Sequence, residues 1–216
     1  GYFKIACEDT NFSRDYPPFV LLFSQLSQKF TTFTLAMIVD IHTHNPYTTA
    51  QTIETVGIHP WHALEGDISV VEQQAHNVDA IGEIGLDYAC DTPRALQESV
   101  FRAQLAIAER LQKPVVLHSV RAFEDTMRIV GNFRLTAVIF HGFIGSKEQA
   151  QRAINEGYYL SFGDRTFRSR KTIEALLSTP LTHLFVETDE SATPIEDIYE
   201  KIASLRSITV DELTVA

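Results

Sequence analysis

The stretch Ile38-Val39-Asp40-Ile41-His42-Thr43-His44 joins a short apolar run to two histidines two positions apart. Side chains in an extended strand alternate between its faces, so His42 and His44 are expected to point the same way. Two imidazoles side by side at the end of a strand can bind one divalent metal ion. An isolated pair of this kind also fits an ordinary strand that runs into a polar loop, so the rest of the chain has to decide between the two interpretations.

The composition is that of a globular protein with an acidic balance. The chain has 216 residues, of which 44% are hydrophobic and 21% charged, and its formal net charge is -10. This charge argues against a broad basic face for duplex nucleic acid, although bound cations and a few arginines can still hold a phosphate. No apolar run approaches the roughly 18 residues that span a membrane, and residues 19–23 are too short for the core of a signal peptide. We therefore expect a cytoplasmic protein without membrane contact, and we take a monomer as the default.

The first 36 residues differ from the remainder. After Pro17-Pro18, large apolar side chains recur at helical spacing, which predicts one amphipathic helix. These side chains are Phe19, Leu22, Phe23, Leu26 and Phe30. Met37 stands directly before the first apolar stretch. We expect residues 1–36 to be an accessory segment, with the alternative that they are foreign to the domain, and residues 37–216 to form the functional domain.

From residue 38 onward, strand-like and helix-like segments alternate. The strand-like segments are continuous apolar runs, as in a parallel sheet that helices cover on both faces. We count seven of them, ending in turn near residues 41, 58, 87, 118, 141, 161 and 189. The sequence has no Gly-x-Gly-x-x-Gly motif, which disfavours a nucleotide-binding doubly wound sheet. We predict an α/β fold of the distorted TIM-type (β/α) barrel class, one strand–helix unit short.

Local signals predict where several helices begin. Thr92 before Pro93 is expected to cap a long helix that reaches about Leu111. Three later pairs have the spacing of a capping box: Ser146 and Gln149, Thr193 and Glu196, and Thr209 and Glu212.

Residues that bind metals recur where the predicted strands end. In chain order they are His42, His44, His59, Glu83, His118, His141 and Asp189. Each one alone is better explained by a hydrogen bond in the core, an ion pair or a turn. A (β/α) barrel gathers the carboxyl ends of its strands at one mouth, where so many ionisable groups without a metal would be unfavourable through desolvation and repulsion. The pattern therefore predicts a centre with two divalent metal ions.

Seven motifs occur in order: DIHTH from residue 40, GIHPW from 57, GEIGLD from 82, PVVLHS from 114, FHGFIGS from 140, YYLSFG from 158 and ETD from 187. From residue 38 to the C-terminus, this set resembles the TatD family of metal-dependent deoxyribonucleases. The resemblance implies a distorted TIM barrel of the metallo-dependent hydrolase superfamily. It also implies the hydrolysis of phosphodiester bonds, typically by a nuclease that acts on DNA ends.

The resemblance further implies a role for each ligand-type residue. The implied ligands are His42 and His44 for one metal ion, His118 and His141 for the other, and Glu83 between both. Asp189 is implied to contact the first ion and to accept a proton from the attacking water, so Asp189 and Glu83 are the expected catalytic residues. Nitrogen and oxygen ligands without a thiolate admit magnesium, manganese or zinc.

Three further residues are expected to bind substrate. His59 resembles the histidine of the family's GxHP motif, which lies near the substrate phosphate. Trp61 stands where relatives often have a second histidine, and its ring can stack on a base or cap the rim of the barrel. Arg121 comes one place later than the arginine of the family's HSR sequence. The basic stretch at residues 164–171 is expected at the mouth, either against a strand backbone or as a solvated helix start.

These observations leave three functions open. The first is a cytoplasmic two-metal phosphodiesterase that trims single-stranded DNA ends. The second is a hydrolase of small amides, lactones or phosphoesters in the same superfamily, which the acidic balance and the displaced Arg121 favour. The third is a barrel that binds a partner without turnover. The presence of every expected ligand type disfavours this third function.

Overall fold

The computed structural model describes residues 38–46 and 48–215, and the helix predicted within residues 1–36 lies outside this part of the chain. Its strands are β1 (Thr55–Val56), β2 (Ala80–Asp87), β3 (Val115–Val120), β4 (Val138–Phe140), β5 (Tyr159–Phe162) and β6 (Leu184–Val186). They form one sheet in chain order, and every adjacent pair is parallel. A strand order that never reverses is that of a (β/α) barrel, whereas the order in a doubly wound sheet reverses.

Helices alternate with these strands, as the sequence predicts. They are α1 (Ile68–Gln74), α2 (Arg94–Leu111), α3 (Phe123–Val130), α4 (Lys147–Asn155), α5 (Arg170–Ser178), α6 (Ile195–Arg206) and α7 (Val210–Thr214). In the described ranges, none of them combines the length and the apolar character that crossing a membrane requires.

The prediction of seven strands is wrong, because residues 38–46 and 48–215 contain six. The expected first strand forms isolated parallel bridges instead, between Val39 and Gln51 and between Thr43 and Asp189. The chain bends at Ile41 and His42, between the two bridges, and neither bridge extends to a second pair of residues. The segment nevertheless lies beside the end of β6, because the Asp189 N–H donates to the carbonyl oxygen of His42 at 3.0 Å.

Helix α2 fixes the ends of two neighbouring strand segments. It has 18 residues without an internal glycine or proline, and its buried face includes two glutamines. The Gln104 side chain accepts from the Ile58 N–H at 2.6 Å and donates to the Ile58 carbonyl at 3.1 Å. Gln97 bonds the N–H and the carbonyl of Asp87 in the same way, both at 2.8 Å. These buried amides satisfy backbone groups that no strand pairs, and they hold the chain just before His59.

Two of the four predicted helix starts are confirmed and two are wrong. The capping boxes at Ser146 with Gln149 and at Thr209 with Glu212 are both present. Helix α2 begins after Pro93, and the Thr92 hydroxyl donates to the carbonyl of Trp61 at 3.1 Å instead of capping the helix. Helix α6 begins one residue later than expected, so Pro194 occupies the cap position and no side chain caps it.

Candidate metal centre

The predicted site residues line one cleft of about 1320 Å³ on the side of the sheet where the strands end. The structure places all nine there: His42, His44, His59, Trp61, Glu83, His118, Arg121, His141 and Asp189. Eight of them are close to at least one other member of the set. Arg121 lies on the cleft wall at a φ of 53°, and among the described residues it forms no ion pair with the cluster.

Glu83, on β2, lies between two groups of imidazoles. Its Oε1 is 3.3 Å from Nε2 of His42 and 3.7 Å from Nε2 of His44. Its Oε2 is 2.6 Å from Nε2 of His141, 3.4 Å from Nδ1 of His118 and 3.9 Å from Nε2 of His59. One carboxylate therefore presents each of its oxygens to a different set of nitrogen ligands.

The backbone around Glu83 brings β2 unusually close to β3. The register between the two strands shifts between Ile81 and Ile84, as at a β-bulge, which redirects the intervening side chains. Gly85 has a φ of 142°, and a Cβ there would lie 2.0 Å from the carbonyl oxygen of His118. Only glycine fits this position, and its close contact keeps the Glu83 carboxylate beside the His118 ring.

The histidine pair and Asp189 form the other half of the cluster. The rings of His42 and His44 lie 5.0 Å apart and face one site, as their spacing predicts. His44 Nε2 is 3.7 Å from Oδ1 of Asp189. The buried Asp40 carboxylate accepts from the N–H and the hydroxyl of Thr188 at 2.9 and 2.6 Å. Asp40 thus ties the histidine segment to the residue before Asp189.

The donor atoms fit divalent metal ions. Four overlapping groups of three have their ligand atoms within 4.8 Å of one another: His42, Glu83 and His141; His42, His44 and Asp189; His59, Glu83 and His118; and His141, Glu187 and Asp189. Nε2 of His42 is buried without a hydrogen-bond partner in the described part of the chain, 3.3 Å from Oε1 of Glu83. A buried polar atom without a partner is unfavourable, and coordination to a cation removes that cost.

Charge is concentrated at the centre of the cluster. Burial alone would raise the pKa of Glu83, but the imidazoles of His118, His141 and His42 around its oxygens outweigh that effect and hold the pKa well below its usual range. Burial would likewise lower the pKa of His141, yet the carboxylates of Glu187 and Glu83 beside its two nitrogens raise that pKa to about 10. In the metal-free protein a proton on His141 therefore balances the carboxylates, and metal binding has to displace it.

The groups at the edge of the cluster are shifted in the opposite direction. Burial, with the nearby His118, lowers the pKa of His59 to about 4, so this ring is neutral near pH 7. Burial raises the pKa of Asp189, although the neighbouring histidines act against that shift. Asp189 therefore has the greater proton affinity of the two carboxylates that contact His44.

Sequence reasoning assigned no role to Asp87 and Glu187, which hold the ligand rings from behind. Asp87 Oδ2 is 3.1 Å from Nε2 of His118, and Glu187 Oε1 is 3.7 Å from Nδ1 of His141. In both rings the opposite nitrogen faces Glu83. Carboxylates in this position fix the orientation of metal-binding imidazoles and raise their basicity.

The signal for these two carboxylates was present in the sequence. Asp87 is four residues after Glu83, and Glu187 is two residues before Asp189. Even spacings place side chains on one face of a strand, so this spacing could have predicted both acids beside a residue already assigned to the site. Asp87 has a second contact, because its Oδ2 accepts the indole N–H of Trp61 at 2.7 Å. It thus links a rim residue to a candidate ligand.

Comparison with known sequences identifies close relatives. The profile of the TatD related DNase family matches residues 27–216. The metal-dependent hydrolase YabD of Bacillus subtilis is 35% identical over 181 residues, which are 73% of this chain and 71% of that protein. The 3'-5' ssDNA/RNA exonuclease TatD of Citrobacter rodentium is 32% identical over 165 residues, which are 71% of this chain and 62% of the exonuclease. The matched region thus spans less than two thirds of the exonuclease.

Solved structures show the same fold. YjjV, a TatD homolog from Escherichia coli, has a TM-score of 0.70 and 27% identity, over 76% of this chain and 73% of its own. A TatD-family hydrolase from Entamoeba histolytica has a TM-score of 0.67 and 21% identity, over 78% and 73% of the two chains. The predicted class of fold is thereby confirmed. Since the family profile matches the chain from residue 27 to its last residue, this protein belongs to the TatD family of metal-dependent hydrolases.

Proposed function

We propose that this hydrolase is a two-metal phosphodiesterase that removes nucleotides from the ends of single-stranded DNA. The position of Glu83 carries the proposal, because its two oxygens face separate groups of histidines. One ion would be held by His42, His44, Asp189 and Glu83, and the other by His118, His141 and Glu83. The name of the Citrobacter relative, an exonuclease of single-stranded DNA and RNA, supports this substrate class.

Two bound divalent ions supply charge stabilisation for a phosphate and lower the pKa of water. The remaining steps fall to the side chains of this chain. Asp189 lines the cleft beside His44 and would accept the proton of the attacking water. His59 is neutral, and its Nε2 is directed toward Glu83. Its ring would offer a polar contact to a phosphate oxygen bound next to the cluster. Arg121, on the cleft wall, would contact the phosphate backbone farther from the cluster.

The size of the cleft favours a polymer over a small molecule. Pockets for small ligands usually measure about 300–1,000 Å³ and enclose most of the ligand. The cleft here is larger, about 1320 Å³, and basic residues of the stretch at 164–171 lie on its wall. A strand of nucleic acid would fill this volume, whereas a small amide or lactone would leave most of it empty.

The function is tested with a single-stranded oligonucleotide labelled at either end, incubated with the protein and magnesium or manganese. We expect mononucleotides to be released only with metal, and the label that appears first shows which end is attacked. The Glu83→Gln variant is the control for a contaminating nuclease. No release by protein that calorimetry shows to bind metal would contradict the proposal. The next substrates would then be small phosphoesters, lactones and amides.

Trp61 provides an independent test of DNA binding, because it is the single tryptophan of the chain. Its side chain is 53% exposed at the cleft, and the bond to Asp87 fixes its indole. A base stacked on the indole contributes about 1–3 kcal/mol, so Trp61→Ala should weaken oligonucleotide binding by roughly 5- to 150-fold. Binding to the parent protein should also quench tryptophan fluorescence.

Leu64→Ala is the matched control for Trp61→Ala, since Leu64 is an exposed apolar residue three positions later that does not line the cleft. Its affinity for the oligonucleotide should equal that of the parent. Unchanged affinity in Trp61→Ala, with no quenching in the parent, would assign Trp61 to the rim alone.

A further inference from the structure

One arginine of the basic stretch lies beside the cluster. Arg165 belongs to the 3-10 turn Asp164–Arg168 that follows β5, and it lines the cleft. Its Nη1 is 3.8 Å from Oδ2 of Asp189, and its side chain is 67% exposed. This guanidinium is thus next to the carboxylate that we assign as proton acceptor, on the open side of the site.

The backbone holds this turn against the end of β6. A Cβ at Gly163 would lie 2.9 Å from the carbonyl oxygen of Glu187, so only glycine allows this close approach of the two segments. Within the turn, Thr166 is buried, and the ring of Phe167 packs under the ammonium of Lys201 at 4.0 Å. Arg165 is therefore presented from a fixed backbone and not from a loose loop.

The donors of Arg165 are available to a ligand. Its neighbours are engaged, since Arg168 donates to Asp164 at 2.8 Å and Arg170 donates to Glu174 at 3.2 Å. Arg165 has one ion pair among the described residues, and 3.8 Å is longer than a hydrogen bond. Its guanidinium therefore has donors to offer an oxyanion that enters between it and the cluster.

The carboxylates that line the cleft favour a cation on the far side of a bound phosphate. Glu83, Asp87 and Asp189 all line the cleft, and the chain as a whole has a net charge of -10. Bound metal ions would offset part of the repulsion between these carboxylates and a phosphodiester, and a cation on the other side of the phosphate offsets more of it. The planar fork of an arginine matches two phosphate oxygens, which a lysine ammonium cannot do.

We propose that Arg165 binds the non-bridging oxygens of the phosphate that is attacked beside Asp189. The inference rests on the proposed phosphodiesterase function and adds a substrate contact to it. Arg121 cannot replace this contact from its observed position, because it reaches no member of the cluster in the described residues. The basic stretch at the mouth is thereby divided: Arg165 contacts the reacting phosphate, and Arg168 and Arg170 stabilise the turn and the helix start.

The test compares Arg165→Ala and Arg165→Lys with the parent in metal-dependent cleavage of the oligonucleotide. Loss of a donor aimed at a developing oxyanion lowers turnover by about 100- to 1000-fold, so we expect a decrease of that order in kcat/KM for Arg165→Ala. Lysine should restore a minor part of the loss. Arg170→Ala, which removes the same charge from outside the cleft, should match the parent. Parent-like cleavage by Arg165→Ala would overturn the inference and leave the proposed function intact.

A binding measurement separates the two proposals if the parent protein cleaves nothing. Inorganic phosphate is titrated by calorimetry into magnesium-loaded parent, Arg165→Ala and Arg170→Ala. Phosphate binding that Arg165→Ala alone loses would support the arginine site, while the absence of cleavage would overturn the nuclease function. Equal phosphate binding by all three proteins, or binding by none of them, would overturn the arginine site.

Discussion

Replacing Glu83 by glutamine is expected to lower kcat/KM for metal-dependent hydrolysis by about 1000-fold or more, equivalent to about 4 kcal/mol. The carboxylate offers an oxygen to the histidine pair and an oxygen to His118 and His141. A glutamine amide has one oxygen and no charge, so it cannot serve both groups. The measurement is the release of labelled nucleotides, with metal affinity determined by calorimetry on the same preparation.

Glu190→Gln is the matched control for this substitution. Glu190 is exposed and lines the same cleft beside Asp189, but it has no contact with the histidines among the described residues. Its metal affinity and turnover should equal those of the parent. Full metal affinity and full turnover in the Glu83→Gln variant would show that the Glu83 carboxylate is not needed to hold the two metal ions.

Asp189→Asn is expected to preserve the fold and to lower kcat by at least about 100-fold, the contribution of a positioned general base. Asp189 has a φ of 53°, in the left-handed region, where asparagine is one of the few residues that are readily accommodated. The substitution therefore removes the proton acceptor without straining the backbone. Turnover is measured at saturating substrate, and a melting curve checks the fold.

The control for Asp189→Asn is Asp91→Asn, the same chemical change at an exposed position that does not line the cleft. It should leave both turnover and melting temperature unchanged. If Asp189→Asn retained the parent kcat with an unchanged melting temperature, another group would have to accept the proton.

The sequence by itself determined the class of fold and the composition of the site. Apolar runs separated by helical periodicity predict parallel strands from local information alone, and strand ends in a barrel share one mouth. The ligand-type residues at those ends were therefore predictable as neighbours, and the structure places them in one cleft. The spacing of His42 and His44 predicted a shared direction because alternation along an extended chain is also a local property.

The tertiary structure alone decided which atoms meet. The bond from Thr188 to Asp40 joins residues 148 positions apart, and no local period encodes such a contact. The same is true of the Glu83 oxygens, the Asp87 link between Trp61 and His118, and the approach of Arg165 to Asp189. These contacts depend on how distant segments align when the whole sheet assembles, and those of Glu83 and Arg165 depend also on close packing at Gly85 and Gly163. The first strand was mispredicted for the same reason, since pairing requires a partner in register and apolar character alone does not supply one.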